Sequence, residues 1–267
     1  MGLLFDGVDD RVSTTSVTGL PNGVPMSMCC VIRVTDLAND QGLIQCGDDA
    51  VDPNYGWYIV NTSGVLRIYC GGNAIDNATA VPTGAWLFIG ISSATLTSHR
   101  YFCYNYETRA IAFNETSTSD VGSFGSPGGS AAQLGAYNAG GAYSAFLKAE
   151  LAWLGLYKKD FTVDTGSAFQ ALAFLGPYAF GAPDIFFDLL ESSGTAARER
   201  IANQTWTLTN FPASPWRAVN LPGPWWTRSA HRVIRPQAAA AATDPGLLHY
   251  NAPGNQLTPH YPRAVPF

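Results

Sequence analysis

From Met26 to Tyr157 the chain is a succession of short apolar runs at a period of two. Gly, Asn, Asp, Ser and Pro punctuate them, and no stretch at the helical period intervenes. Such spacing admits a β-sandwich and excludes a chain in which strands alternate with helices. In the run Met26–Val34, Met26, Met28, Cys30, Ile32 and Val34 share one face while Ser27, Cys29, Val31 and Arg33 share the other, which predicts a long half-buried strand. Residues 55–60 and 65–69 flank Asn61-Thr62-Ser63-Gly64 and predict a β-hairpin. Further strands are expected at 42–46, 85–91, 99–106, 110–113, 133–137 and 146–157. The one predicted helix covers 164–173, with Phe169, Leu172 and Ala173 at helical spacing and Gly176-Pro177 as its stop.

The amino-terminal stretch Leu3-Leu4-Phe5-Asp6-Gly7-Val8-Asp9-Asp10-Arg11-Val12-Ser13 reads as a strand that bends at Asp-Gly and resumes at Val12. Its wording resembles the opening strand of the concanavalin A-like jelly rolls, particularly their laminin-G-like branch. Trp86, Leu134-Gly135 and the run from Phe146 to Thr162 resemble, in the same order, later strands of that family, although Leu147 stands where a small residue is usual. Ile185 to Thr195 and Trp206 to Asn210 resemble a strand pair that normally precedes the opening strand, and here follows it. The resemblance therefore implies an all-β, concanavalin A-like sandwich over residues 1–210, with one short helix and with its last strand pair, 184–210, permuted to the carboxyl end. On that reading Leu4 and Phe5 are buried and their strand pairs with residues beyond 183.

From Phe211 the composition changes. Ten of the chain's seventeen prolines lie there, which excludes a central strand or a long helix. Aromatic residues are interleaved with them, so a solvated linker is a poor description. Residues 211–267 are expected to form an extended arm, with Trp216, Arg217, Trp225, Trp226, Arg228, Arg232, Arg235, Tyr261 and Phe267 as its partner contacts. The tail is basic and the remainder acidic, within a net charge of −5. That asymmetry suits docking on an acidic protein surface, in cis or in trans, better than nucleic acid, for which scattered arginines form no motif.

Charged residues make up only 13% of the chain, against 46% hydrophobic, which fits either a large dry core or surface covered by other subunits. Five cysteines without a pairing pattern predict free thiols, and adjacent Cys29 and Cys30 point to opposite faces and cannot share a metal. No basic leader precedes the first strand and no apolar run reaches membrane length, so neither secretion nor membrane partners are expected.

Motifs for catalysis are missing: there is no HExxH, GxSxG or phosphate-binding loop, and the four histidines lack ligand spacing. Asp184, Asp188 and Glu191 are the nearest approach to a hydrolase acid set, but their spacings place Glu191 on the opposite strand face from Asp184 and Asp188. A non-enzyme without organic cofactor is expected. Calcium is the one candidate ion, because the resembled sandwiches carry it at their rims; Asp6, Asp9 and Asp10, or else Asp48, Asp49 and Asp52, offer the oxygens. Tyr55, Trp57 and Tyr143 are candidates for stacking on sugar. By resemblance to laminin-G-like domains of phage structural proteins, the expected role is a homo-oligomeric virion subunit, a capsid decoration or tail component assembled in the host cytoplasm. The alternative is a lectin-like module that binds host-surface glycan.

Overall fold

The computed structural model describes residues 1–219 except 18, 20–22, 49–50, 61–62, 71, 123, 125–130, 140–141 and 192. Eighteen strands, one 3-10 turn (Asp164–Gly166) and one α-helix follow one another among them. The first seven strands are β1 (Gly2–Leu4), β2 (Arg11–Thr14), β3 (Met26–Val34), β4 (Gln41–Asp48), β5 (Val51–Ile59), β6 (Leu66–Cys70) and β7 (Asn73–Asp76). Next come β8 (Leu87–Thr95), β9 (Ser98–Asn105), β10 (Ala110–Ser117), β11 (Ala132–Leu134), β12 (Tyr137–Ala139), β13 (Ala142–Ser144) and β14 (Ala149–Tyr157). Helix α1 (Ser167–Leu175) precedes β15 (Ile185–Phe187), β16 (Ala196–Arg198), β17 (Thr205–Thr209) and β18 (Trp216–Arg217).

Two antiparallel sheets form the expected all-β sandwich with one short helix. The first runs β10-β9-β8-β3-β14-β1-β18, with β15 sharing the β14 edge beside β1; the second runs β16-β17-β2-β11-β4-β5-β6-β7. Between them lies one apolar core that draws on every second residue of most strands. Met26, Met28, Cys30, Ile32 and Val34 enter it from β3, and Tyr55, Trp57 and Ile59 from β5. A second, smaller core lies on the far side of the first sheet, where Phe169 and Leu172 of α1 meet Cys29, Val31, Phe88, Phe102 and Trp153. The expectation of a half-buried β3 is corrected by this second core, which covers the strand's other face. Tyr106 and Tyr157 pin the same region, donating their hydroxyls to Ala173 O and Pro177 O at 2.9 and 2.7 Å.

The opening stretch differs from the expectation in an instructive way. Rather than one bent strand in one sheet, it supplies β1 to the first sheet and β2 to the second, so Phe5–Asp10 is a corner between sheets. Leu3 and Phe5 enter the core, whereas Leu4, one residue out of phase, is only half-buried. The late return of the chain does cover both strands: β18 pairs β1 and β17 pairs β2. The expected permuted pair is split between sheets, because β15 joins β14 while β17 joins β2.

The boundary at residue 210 is also corrected. Trp216, assigned to the arm, is buried at 5% exposure in β18, and its indole donates to Gly194 O at 3.2 Å. Leu4 N donates to Pro215 O at 3.0 Å, so the segment closes the open edge of β1. Prolines at 212 and 215 are compatible with this because the strand is an edge and asks for few N–H donors. Arg217 is exposed, with Nη1 donating to Ser214 O at 2.7 Å. Trp225, Trp226, Arg228, Arg232, Arg235, Tyr261 and Phe267 lie outside the described residues. Among the described residues no helix is long and apolar enough to cross a membrane. All five cysteines are buried and unbridged; Cys29 belongs to the helix-side core and Cys30 to the central one.

Candidate functional sites on the rim and the outer face

The corner between β1 and β2 gathers Asp6, Asp9 and Asp10, each offering an oxygen within 4.8 Å of the other two. Gly7 adopts φ +81°, a left-handed conformation that the tight bend requires and that side chains disfavour. Asp6 Oδ1 accepts the Val8 N–H at 2.7 Å, and the Asp6 N–H donates to Asp10 Oδ2 at 2.8 Å. Asp10 is fully buried, Asp9 half-buried and Asp6 exposed. Burial pushes the Asp10 carboxyl up to about 6; the hydrogen bond from Asp6 opposes this, and the Asp6 and Asp9 charges add to it. The other acidic candidates, Asp48, Asp49 and Asp52, have side chains outside the described residues.

Beside this corner is a cleft of about 170 Å³ lined by Gly194, Thr195, Leu208, Asn210, Phe211, Pro212, Ala213 and Pro215. Asn210 Nδ2 donates to Asp9 O at 3.3 Å, and the Phe211 ring meets Phe5 edge-on at 5.1 Å between centroids. The cleft is smaller than the several hundred Å³ usual for a small-molecule site.

The outer face of the second sheet is a different kind of surface. Tyr58, Tyr69 and Tyr137 meet edge to face, with ring centroids 5.7 to 6.2 Å apart. Tyr69 and Tyr137 are half-buried, and Tyr69 stands in register between Gly56, over which the Tyr58 ring lies, and the small Ala74. One row along, Tyr58 lies in register with Arg67 and Arg67 with Asp76, to which the guanidinium gives a bidentate pair at 2.7 and 2.8 Å. Tyr137 is held there by the β12–β13 hairpin. Gln45 works as a substitute strand for it, donating Nε2 to Asn138 O at 3.1 Å and accepting the Asn138 N–H at 2.6 Å. Gln133 donates to the same Gln45 oxygen. Farther across the face Arg11 lies 3.9 Å above the half-buried Tyr143 ring, beside Ser13 of its own strand and Thr207 and Thr209 of the neighbouring β17.

Of the residues singled out for sugar contact, Tyr143 is on this face, whereas Tyr55 and Trp57 are core residues at 0% and 1% exposure. The phase of β5 decides this: Tyr55, Trp57 and Ile59 point inward and Gly56 and Tyr58 outward. Tyr58, Tyr69 and Tyr137 were missed, although the alternation of Tyr69 with Ile68 and Cys70 carried a signal for the outer face.

The three acids of the abortive hydrolase set also find places. Asp184 accepts the Lys158 N–H at 2.6 Å. Asp188 and Glu191, expected on opposite faces, are brought together because the chain turns at Leu189 (φ +44°), and both bind Arg200, at 2.7 and 2.6 Å. A shared guanidinium leaves no gap for a scissile bond between those two carboxylates. Glu199, which drew no attention in the sequence, is fully buried and accepts the N–H groups of Phe186, Ile201 and Ala202 at 2.7 to 3.0 Å, organising the β15–β16 region.

No protein-family model matches the chain, and no curated protein does. Solved structures match by shape. A protein from Bacteroides ovatus described as a candidate carbohydrate binder aligns at a TM-score of 0.53 and 12% identity, over 78% of this chain and 58% of that one. The chain thus spans little more than half of that protein's length. The LG1–3 region of the laminin alpha2 chain aligns at 0.45 and 9% identity, over 60% of this chain and 31% of that one. The CBM40 of Ruminococcus gnavus IT-sialidase, bound to α2,3-sialyllactose, aligns at 0.42 and 12% identity, over 60% and 90%. At these identities the likeness concerns the fold alone.

Proposed function

We propose that this chain is a non-catalytic carbohydrate-binding module that receives glycan on the outer face of its second sheet. The observation that carries this reading is the solvent-facing set Tyr69 and Tyr137, flanked by the Arg67–Asp76 pair. The apolar face of a sugar ring stacks on tyrosine, and the unpaired edges of a bidentate Arg–carboxylate pair exchange hydrogen bonds with ring hydroxyls. Likeness of fold to the Bacteroides ovatus protein is consistent with this role. A glycan array probed with the full chain tests it: specific hits that disappear in Tyr69→Ala are expected, and a blank array, or hits unaffected by Tyr69→Ala, would refute the face assignment.

A second reading, compatible with the first, is that the module is an adhesion or structural subunit of a homo-oligomeric assembly, with a phage virion as the proposed setting. The proline-, tryptophan- and arginine-rich sequence beyond Val219 favours it. Because β18 closes the sandwich, the informative truncation ends at Val219 rather than at Asn210. The shortened chain should fold and remain monomeric in sedimentation while the full chain self-associates; equal sedimentation behaviour of the two would dispose of an arm that binds in trans to its own copies.

A further inference from the structure

We infer that the outer face of the second sheet holds a subsite for the carboxylate of an acidic sugar, formed by Arg11 and Tyr143, which rests on the glycan reading and adds to it the charge of the sugar. The Arg11 guanidinium is held in place but has nothing to bind. It lies 3.9 Å above the Tyr143 ring, and among the described residues it takes part in no ion pair and no hydrogen bond. Its Nε is enclosed without an acceptor, an arrangement that costs free energy because a charged N–H has given up water. The two terminal nitrogens, equally without acceptors, are not enclosed, so the fork of the half-buried side chain is what solvent can reach.

The other arginines of the described residues show how unusual this is. Arg33, Arg67 and Arg200 are paired with carboxylates. Arg100, Arg198 and Arg217 donate to carbonyl or amide oxygens. Only Arg109 also lacks an acceptor, and it is fully exposed on a turn, where water serves it.

Stacking on tyrosine restricts the guanidinium to its plane and leaves the fork edge for a ligand, and a carboxylate fits that edge with two parallel N–H···O bonds. Less rotamer freedom is then lost on binding. The surroundings suit the rest of a sugar: Thr209 stands in register with Arg11 and Thr207 with Ser13, three hydroxyls and no acid.

The β12–β13 hairpin links this subsite to the tyrosine face, because it carries a ring to each flank. Tyr137 meets Tyr58 and Tyr69, and Tyr143 meets Arg11. From β2 to β6 there are four inter-strand steps, on the order of 19 Å, so an oligosaccharide rather than a single sugar would touch both flanks.

The test uses the full chain, titrated with sodium glucuronate, sodium N-acetylneuraminate and neutral glucose while the Tyr143 ring signals are followed by NMR. A saturable shift with one or both acids is expected, at a dissociation constant of about 1 to 10 mM, with no response to glucose. Which acid binds tells whether the carboxylate belongs to a uronic or a sialic acid. Affinity should fall as sodium chloride is raised, and Arg11→Gln should weaken it about tenfold or more. Arg11→Lys keeps the charge without the fork and should fall between the two; it replaces Arg11→Gln should that variant fail to fold. No saturable shift at about 50 mM of either acid, an equal response to glucose, or undiminished binding in the arginine variants would overturn the subsite. The titration does not depend on Tyr69: a positive titration with a blank glycan array would refute the tyrosine face alone, and Tyr69-dependent array hits with a negative titration would refute the subsite alone.

Discussion

The outer faces of the two sheets have opposite chemistry. The first sheet turns Cys29, Val31, Phe88, Phe102 and Trp153 outward and covers them with α1, making a second core. The second sheet turns Gln45, Arg67, Tyr69, Gln133 and Thr207 outward and covers them in part, with a two-stranded hairpin held by side-chain amides. A face that is apolar at every second position must be buried, and the helix does that. A face of hydroxyls, amides and tyrosine rings can stay in contact with water and remain available to a ligand.

Removing the helix's anchor gives the largest expected effect. Phe169 is fully buried against Phe88, Phe102 and Phe161, and Phe169→Ala should destabilise the protein by about 3 to 5 kcal/mol in chemical denaturation. A change below 1 kcal/mol would mean that the helix is not integral to the fold. Gly90→Ala attacks the same contact from the sheet. A Cβ there would come within 2.4 Å of the Phe169 ring, and a loss of about 1 to 3 kcal/mol is expected from overpacking. On the other face, Tyr137→Ala should cost no more than about 1 kcal/mol in stability while lowering glycan affinity about tenfold in a titration with an array hit. Equal losses from Phe169→Ala and Tyr137→Ala would erase the distinction between the faces.

A pH titration probes the interior of the first sheet. His99 is buried, its Nε2 facing Leu96 O and Ser119 O at 2.9 and 3.0 Å and its Nδ1 facing Ser93 Oγ at 2.9 Å. Burial holds its pKa below 6.5, against the opposing effects of those carbonyls and of Asp120. The unfolded chain then binds the proton more readily, so the stability His99 contributes is present above pH 6.5 and is lost as pH falls through the lowered value. The unfolding midpoint should drop between pH 7.5 and 5.5, by less in His99→Gln. The smallest effect belongs to the exposed Thr207: Thr207→Ala should change stability by no more than about 0.5 kcal/mol.

Much of the fold was legible because strand alternation reports local phase. The 55–60/65–69 hairpin, the opposed Cys29 and Cys30 and the single helix all follow from period and punctuation. The same signal is silent about what covers a face. It assigned β3 one wet side because nothing in residues 26–34 announces a helix from 167–175. It placed Tyr55 and Trp57 among sugar contacts because an inward and an outward aromatic look alike until the sheet has a partner. It ended the sandwich at 210 because prolines at 212 and 215 argue against strands in general but not against an edge strand.

By itself, then, the sequence determined the strand periods, the bend at Asp6-Gly7 and the company of three acids around it, since these are properties of consecutive residues. Only the tertiary structure decided that the bend is a corner between sheets, that Asp10 is buried there with its carboxylate turned to the Asp6 N–H, and that Tyr58, Tyr69 and Tyr137 meet on one surface. Those facts depend on strands far apart in the chain coming into register, and no local pattern of residues specifies which distant strand will be the neighbour.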